Sequence, residues 1–158
     1  MAERSAYIDG LNMLGRRELS VAECRSRLAD REHEAGDIET AIARLIDVGA
    51  LNDARVARAF ARTSFTIKGR GRLRIARELQ AKGIARDVAD AALEEVLGDS
   101  DERTLVARAL QKRLRGRTTL QDRAESGRLY QYLMRQGFTP GAVMAELRAL
   151  RSGGTEEE

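Results

Sequence analysis

The sequence predicts an all-α protein, an elongated array of three tandem three-helix repeats. Two observations support this prediction: a composition typical of helical proteins and a short pattern that recurs along the chain. Charged residues make up 34% and aromatic residues 4% of the 158 residues, with one proline and no tryptophan. Alanine, leucine, arginine and glutamate are strong helix formers, whereas one large core would usually contain more aromatic side chains.

The recurring pattern places a leucine four residues before a glycine, which an apolar residue follows. It occurs at residues 79–84 and 133–138, and a further leucine stands ten residues after each glycine. A weaker first copy runs from Leu28 through Gly36 to Ile46. The copies therefore repeat at a period of roughly 50 residues, which is typical of stacked helical units that contact mainly their neighbours. We expect repeats at residues 4–52, 53–99 and 100–151, followed by a disordered acidic tail at residues 152–158.

Helix boundaries are marked by capping residues and glycines. Ser20 and Glu23 have the spacing of a capping box. Thr139 precedes Pro140, and proline suits the first position of a helix. From residue type, we expect further N-caps at Asp37, Asp53 and Ser100. We also expect helices to end at glycines in the left-handed conformation, namely Gly15, Gly36, Gly49, Gly83, Gly98 and Gly137.

Between these boundaries, apolar residues recur with the period of a helix. About nine helices in three triplets result, and no segment alternates long enough to form a strand. The predicted buried stripes include Ile8, Leu11, Met13 and Leu14, then Ile38, Ile42, Leu45 and Ile46, then Val56, Phe60 and Ile67, then Leu73, Ala76 and Leu79.

Basic residues are concentrated in two segments of the chain. Residues 55–82 hold nine basic residues and one acid, and residues 103–128 hold eight basic residues and two acids. Acidic residues are concentrated elsewhere, so the formal net charge is only +3. Segregated charge predicts a polyanionic partner or an acidic protein groove. Solvated helix faces are the alternative interpretation.

Many of these basic residues repeat at helical spacing and therefore stand above one another on one face. Like charges at this spacing are mildly destabilising, and a polyanion would relieve the repulsion. Arginine is suited to this role because its planar fork grips phosphates or carboxylates in pairs. Alternatively, acids of adjacent helices neutralise the stripes. The candidate binding residues are Arg55, Arg58, Arg62, Lys68, Arg70, Arg72, Arg74, Arg77, Lys82, Arg108, Lys112 and Arg115.

The sequence predicts no catalytic residues, no metal site and no cofactor, so we expect a protein that is not an enzyme. The glycines at residues 69–72 lack the spacing and the preceding strand of a phosphate-binding loop, and they favour a tight turn between helices. Cys24 is the only cysteine and His33 the only histidine, too few for a typical zinc site. Tyr130 and Tyr132 could stack on bases, but their spacing favours core packing.

The sequence also indicates where the protein works. It shows neither a secretory signal nor an apolar run long enough to cross a membrane. A single cysteine fits a reducing compartment. A cytoplasmic monomer with no membrane partner is expected.

Several motifs together resemble those of the RecX family. They are Arg-Arg-Glu-Leu-Ser at residues 16–20, Gly-Ala-Leu-Asn-Asp at 49–53, Gly-Arg-Gly-Arg-Leu-Arg-Ile at 69–75, Lys-Gly-Ile at 82–84 and Arg-Gln-Gly-Phe at 135–138. The resemblance covers roughly residues 6–150 in the family's order. Two departures lie in the first repeat: Glu23-Cys24 replaces the usual Glu-Leu, and the connection from Asp30 to Gly36 is longer and more acidic.

The resemblance implies a negative regulator of the RecA recombinase. Members of the family are similar in having three-helix repeats that lie in the groove of the RecA–DNA filament. There they restrain ATP hydrolysis, strand exchange and coprotease activity. The implied partners are the RecA filament and single-stranded DNA, with double-stranded DNA as a further candidate.

Two other interpretations stay open at this point. A stand-alone DNA-binding regulator would read duplex DNA through one helix of a triplet that resembles a helix-turn-helix. Recognition helices usually direct asparagine, glutamine or arginine at base edges, whereas repeated arginines suit backbone contact. A general helical scaffold for another protein would show no salt-dependent binding of nucleic acid.

Overall fold

The computed structural model describes residues 5–153, which form nine helices and no strand. In chain order the helices are α1 (Ala6–Arg16), α2 (Val21–Asp30), α3 (Ala35–Asp47), α4 (Asp53–Thr66), α5 (Arg72–Ala81), α6 (Arg86–Leu97), α7 (Glu102–Leu114), α8 (Arg123–Gln136) and α9 (Pro140–Gly153). The all-α class is confirmed. The elongated form and the repeat boundaries stay predictions. Residue 4 of the first repeat and residues 154–158 of the acidic tail lie outside the described residues.

The described residues divide into two compact units. The first contains residues 5–60 and 78–92, and the second contains residues 61–77 and 93–153. In the first unit, α1 and α2 pack against α3, and Leu19, Leu28 and Leu45 are completely buried between them. In the second unit, α7 and α8 pack against α9 around Leu133 and Val143.

The helix caps confirm part of the expected boundaries. Ser20 and Glu23 form the capping box at the start of α2, and α9 begins at Pro140. Three expected N-caps are wrong, because a nearby residue holds each position. Glu34 precedes α3 and Asp101 caps α7, in place of Asp37 and Ser100. Asn52 accepts the Arg55 amide at the start of α4, while the carboxylate of Asp53 accepts the Val21 amide at 2.9 Å.

The expected glycine stops are also partly confirmed. Gly49, Gly83 and Gly137 have positive φ angles. Gly15 lies inside α1 and Gly36 inside α3, so neither ends a helix. Gly98 follows α6 but is not among the residues with positive φ. The glycines at residues 69–72 form the expected turn between α4 and α5, with Gly69 at φ +65°.

The same turn follows α2, α5 and α8. In each, the amide five residues after a buried leucine donates to that leucine's carbonyl: His33 to Leu28 at 3.4 Å, Ile84 to Leu79 at 3.2 Å, and Phe138 to Leu133 at 3.3 Å. This is the hydrogen bond of a helix end closed by a left-handed residue. The left-handed residues are Glu32, Gly83 and Gly137.

This geometry corrects the first copy of the repeat. Glu32, and not Gly36, is the counterpart of Gly83 and Gly137, so the first turn has the same length as the others. Ten residues after Glu32 stands Ile42, which is buried, whereas Ile46 is exposed. The predicted alignment of the first copy was wrong because a glutamate occupies a left-handed position that is usually occupied by glycine.

Some apolar residues assigned to buried stripes are exposed. The set comprises Ile8, Ile46, Ile67 and Leu73. In α1, the buried face runs through Ala6, Asp9, Gly10 and Met13. Gly10 lies against Leu45, and a Cβ at this glycine would stand 2.7 Å from a leucine methyl. Close helix packing at a glycine therefore rotates the buried face away from Ile8.

The start of α2 contacts the turn between α5 and α6 within the first unit. The Ser20 hydroxyl donates to the Lys82 carbonyl at 2.5 Å. A Cβ at Gly83 would stand 2.4 Å from the Cβ of Ala22, so this turn and α2 touch where neither has a large side chain. We call this contact the first junction.

The start of α5 contacts the turn between α8 and α9 within the second unit. The Gly71 amide donates to the Gln136 carbonyl at 2.7 Å, and the Leu73 amide donates to the Gly137 carbonyl at 3.0 Å. A Cβ at Gly137 would stand 2.5 Å from the Arg74 backbone nitrogen. We call this contact the second junction. It relates α5 to the α8–α9 turn as the first junction relates α2 to the α5–α6 turn.

Candidate polyanion-binding surface

Arg55 stabilises a helix end in the first unit. Its guanidinium donates to the carbonyls of Gly49 and Ala50, at 2.9 and 3.1 Å, and to the carboxylate of Glu18, at 3.2 Å. These carbonyls follow the last turn of α3, where helical carbonyls lack partners. The fork of Arg55 is therefore committed to the corner between α3 and α4. Arg58, which follows on α4, is half-buried and also has an interaction partner.

Lys82 is the second candidate with a local role in the first unit. Its ammonium lies 4.9 Å from the centre of the Phe60 ring and 3.9 Å from the carboxylate of Glu23. The side chain is mostly buried, and the Lys82 carbonyl takes part in the first junction. A polyanion would compete with these contacts for the ammonium.

Several candidates in the second unit have weak or partial local contacts. Arg62 lies 3.9 Å from Glu95, and Arg72 lies 3.9 Å from Glu94, with all four side chains exposed. Exposed pairs of this kind contribute only about 0–1 kcal/mol, so a polyanion can displace the carboxylates at small cost.

Arg70 and Arg74 are half-buried near the second junction. Arg74 donates to the carbonyl of Arg135 at 3.2 Å, and both arginines have a further interaction. Their guanidinium groups are therefore partly occupied by the protein itself.

Five candidates form no ion pair with any residue from 5 to 151: Lys68, Arg77, Arg108, Lys112 and Arg115. All five are exposed. The last three follow one face of α7 and its end, with Arg115 in the left-handed C-cap conformation. Helical spacing brings these three charges together, and we call them the α7 stripe.

A second basic surface, on α8, was not expected from the sequence. The Arg113 guanidinium lies 4.2 Å from the centre of the Tyr132 ring. Both residues line a cleft of about 680 Å³ together with Arg128 and Arg135. A smaller cleft of about 290 Å³ contains Tyr130, Arg123, Arg148 and Arg151. The sequence signal was present but weak: Arg128, Tyr132 and Arg135 share a helix face.

The tyrosines of α8 serve two purposes. Tyr130 and Tyr132 pack against the apolar core of the second unit, as their spacing indicated. Each is nevertheless only half-buried and lines one of the two clefts. Phe138, two residues after α8, is 2% exposed and is therefore a core residue.

A buried carboxylate holds the connection between α7 and α8. Glu125 accepts hydrogen bonds from the Arg117 guanidinium and from the Gln121 amide. The Arg117 hydrogen bond, with help from the Gln121 amide, lowers the pKa of the Glu125 carboxyl. Glu125 therefore stays ionised beside Arg117, and the charge of Arg128 on α8 also contributes to the lowered pKa.

The single cysteine and the single histidine, the residue types most often found at metal and catalytic sites, have side chains that are buried or mostly buried. Cys24 is buried in α2, and burial raises the pKa of its thiol. His33 contacts the buried carboxylate of Asp9 at 2.7 Å. Across the described part of the chain, no three histidine, cysteine or acidic side chains are grouped as a metal site would require. None of the described helices has the length and apolar character needed to span a membrane.

Comparison with known proteins matches two parts of the chain to one family. Residues 6–45 match the model described as RecX, first three-helix domain, and residues 52–93 match RecX, second three-helix domain. A protein named Regulatory protein RecX from Halorhodospira halophila is 37% identical over 140 residues, covering 88% of this chain and 84% of the relative. The relative of the same name from Chromohalobacter salexigens is 36% identical, covering 82% of each chain.

Solved structures show the same fold. The crystal structure of RecX from Lactobacillus salivarius superposes with a TM-score of 0.72 at 23% identity, covering 92% of this chain and 94% of that one. A second crystal structure, of a regulatory protein RecX, gives a TM-score of 0.74 at 21% identity over 91% of this chain and 70% of that one. The helical repeat fold is therefore confirmed.

Proposed function

Because the chain belongs to the RecX family, we propose that it is a negative regulator of the RecA recombinase that binds in the groove of the RecA–DNA filament. The observation that carries this proposal is the match to relatives named Regulatory protein RecX over most of both chains. In the filament groove the protein restrains ATP hydrolysis, strand exchange and coprotease activity. It acts by binding and not as an enzyme, in the cytoplasm.

The exposed charge supports a binding mode of this kind. The α7 stripe, with Lys68 and Arg77, presents cations to solvent without ion pairs to other described residues. A partner can neutralise these side chains without first breaking a protein contact. Arg55 and Lys82 contribute to the fold of the first unit. Within the predicted set we therefore assign filament contact first to the exposed subset, which is the α7 stripe with Lys68 and Arg77.

The test is the ATPase rate of RecA on single-stranded DNA with increasing amounts of this protein. We expect the wild-type protein to lower the rate, and neutralisation of the α7 stripe by R108Q/K112Q/R115Q to weaken that inhibition. A matched control, R16Q/R17Q/R27Q, removes three exposed cations that lie outside the predicted set and should inhibit like the wild type. A wild-type protein that leaves the ATPase rate unchanged would overturn the proposal.

The competing hypothesis, a stand-alone regulator that reads duplex DNA, predicts a different result. It requires strong preference for particular duplex sequences in the absence of RecA, because base contacts carry sequence information and phosphate contacts do not. The exposed subset consists of arginine and lysine, which favours backbone contact. Binding that is blind to sequence and is increased by RecA supports the filament regulator.

The amount of protein needed separates two modes of regulation. Inhibition far below one protein for each RecA protomer indicates a block at filament ends. A requirement near one-to-one indicates occupancy along the groove and supports the proposal in its stated form.

A further inference from the structure

The two clefts beside α8 are lined by cations without acidic side chains. The larger cleft is lined by Arg113, Arg128 and Arg135. The smaller is lined by Arg123, Arg148 and Arg151. Neither has an aspartate or glutamate among its lining residues.

The depressions of the first unit show the contrast. The cleft between α1 and α3 is lined by four acidic side chains together with its cations, and the depression beside the first junction includes Glu23 and Asp30. Cations there face carboxylates of the same chain. The α8 clefts are therefore better suited to an anionic ligand than these two depressions are.

Each α8 cleft also contains one tyrosine. Tyr132 lines the larger cleft and Tyr130 the smaller, and both rings are half-buried. The Arg113 guanidinium lies against the Tyr132 ring at 4.2 Å. Aromatic rings and guanidinium planes are the surfaces on which unpaired bases stack. An acidic peptide would use the arginines but has no need of the rings.

The ridge between the clefts is low and uncharged. Gly127 and Gln131 line both clefts, one turn apart on α8. A Cβ at Gly127 would meet no atom within 4 Å, so the helix has open space above this point. A flexible strand can therefore cross α8 at Gly127 and place bases in both clefts.

We propose that the α8 face, defined as these two clefts and the Gly127–Gln131 ridge, binds single-stranded nucleic acid without sequence preference. Arg113, Arg123, Arg128 and Arg135 contact phosphates, while Tyr130, Tyr132 and the guanidinium plane of Arg113 provide stacking surfaces. Arg151 donates to the Ser126 hydroxyl, and Arg148 also has a protein partner. This inference deepens the proposed function, on which it rests for its biological setting, by naming a site for single-stranded DNA in addition to the α7 stripe.

The principal experiment measures binding of labelled oligothymidylate to the full chain alone, by fluorescence anisotropy over a series of salt concentrations. The variant R113Q/R128Q/R135Q removes three charges from the α8 face. The matched control R16Q/R17Q/R27Q removes three exposed cations that lie outside both the α8 face and the predicted set. For single strands, each lost phosphate contact makes the plot of log affinity against log salt concentration shallower by about 0.7. We therefore expect the slope to become shallower by about 2 in the first variant and to change little in the second.

Equal weakening by the two triple variants would overturn the proposal, because net charge and not the α8 face would then explain binding. Tighter binding of a duplex than of oligothymidylate would also overturn it. So would stronger binding of an oligoglutamate peptide, since the face would then be a site for acidic protein.

Stacking is tested separately. Y132L keeps an apolar side chain against the core but removes the ring, and we expect at least about a 5-fold loss of affinity, the lower end of the stacking contribution of one base. Unchanged affinity in Y130L and Y132L would overturn the stacking role. Should either variant fail to fold, Y7F serves instead: with no tryptophan in the chain, its tyrosine emission comes from Tyr130 and Tyr132 and should be quenched by oligothymidylate.

The failure of this inference is distinguishable from that of the proposed function. Oligothymidylate binding is measured without RecA, whereas regulation is measured by the RecA ATPase rate. Regulation without binding at the α8 face would overturn only the present inference. Binding at the α8 face without regulation would support it and overturn the proposed function.

Discussion

Both junctions hold a glycine turn against the start of a helix, but they do so with different hydrogen bonds. At the first, a side-chain hydroxyl from the start of α2 donates to the turn carbonyl of Lys82. At the second, two backbone amides at the start of α5 donate to the carbonyls of Gln136 and Gly137. In both, a glycine turn lies against the first residues of a helix: Gly83 against Ala22 at the first junction, and Gly137 against Gly71 and Arg74 at the second.

The difference follows from how each helix satisfies its first amides, which have no partner within the helix. In α2, the capping box of Ser20 and Glu23 provides acceptors from the helix itself. At the start of α5, Gly71 has no side chain to act as a cap, and the Gly137 carbonyl accepts the Leu73 amide. The second junction is thus also the cap of a helix, so we expect it to be the more sensitive of the two.

Gly137→Ala should have the largest effect on stability. Gly137 has φ +101°, and a left-handed backbone costs an alanine about 1–2 kcal/mol. Its Cβ would also stand 2.5 Å from the Arg74 nitrogen and 2.9 Å from the Gly71 carbonyl oxygen, and backbone atoms cannot move aside easily. We expect the free energy of unfolding to fall by more than about 2 kcal/mol, measured by urea denaturation.

A matched control for this substitution lies on the same helix. Gly127→Ala places a Cβ in open space and should stabilise the protein by about 0.5–1 kcal/mol, because alanine is the better helix former. If Gly137→Ala and Gly127→Ala change stability equally, the close approach at the second junction is not a stability determinant.

Gly83→Ala should have a somewhat smaller effect, part of which can be reversed. Gly83 has φ +76°, and its added Cβ would stand 2.4 Å from the Cβ of Ala22. Removing the opposing methyl group with Ala22→Gly relieves the steric part and leaves the backbone part. We expect the double variant to be more stable than the sum of the two single effects predicts, by at least about 1 kcal/mol. Strict additivity in urea denaturation would contradict the first junction.

Ser20→Ala removes two contacts and should come third in size. The hydroxyl accepts the Glu23 amide in the capping box and donates to Lys82 across the junction. Losing such a cap costs about 1–2 kcal/mol in folded proteins. The control is Ser5→Ala, since Ser5 caps α1 at an exposed site by accepting the Ile8 amide alone. An equal loss of melting temperature in the two variants would show that the contact to Lys82 contributes nothing.

Helix positions could be predicted from sequence because their signals are local. Capping spacing, the proline at residue 140 and the apolar period each act within a few residues, and the structure confirms the capping box and the start of α9. The rotation of α1 could not be predicted, since it depends on the close approach of Gly10 to Leu45. Contacts between residues far apart in the chain leave no local signal.

The candidate site was predictable in its charge but not in its partners. Arg55 and Arg108 look alike in sequence, yet Arg55 binds Glu18, 37 residues away, and two helix-end carbonyls. The α8 face was missed because its larger cleft draws Arg113 from α7 and the other cations from α8. Counting charge along the chain detects a basic segment and cannot tell which side chains share a surface.

Glu32→Gly should have the smallest effect and the opposite sign. Glu32 is the counterpart of the two junction glycines, with φ +65° on an exposed turn. Glycine relieves the left-handed strain but adds freedom to the unfolded chain, so we expect a net gain of about 0.5–1 kcal/mol, seen as a raised melting temperature. Glu32→Ala removes the carboxylate and keeps the Cβ, so it should give no such gain. If the alanine variant gains as much stability, the destabilising effect of Glu32 comes from its carboxylate and not from its left-handed backbone. The first turn would then differ from the junction turns in charge alone.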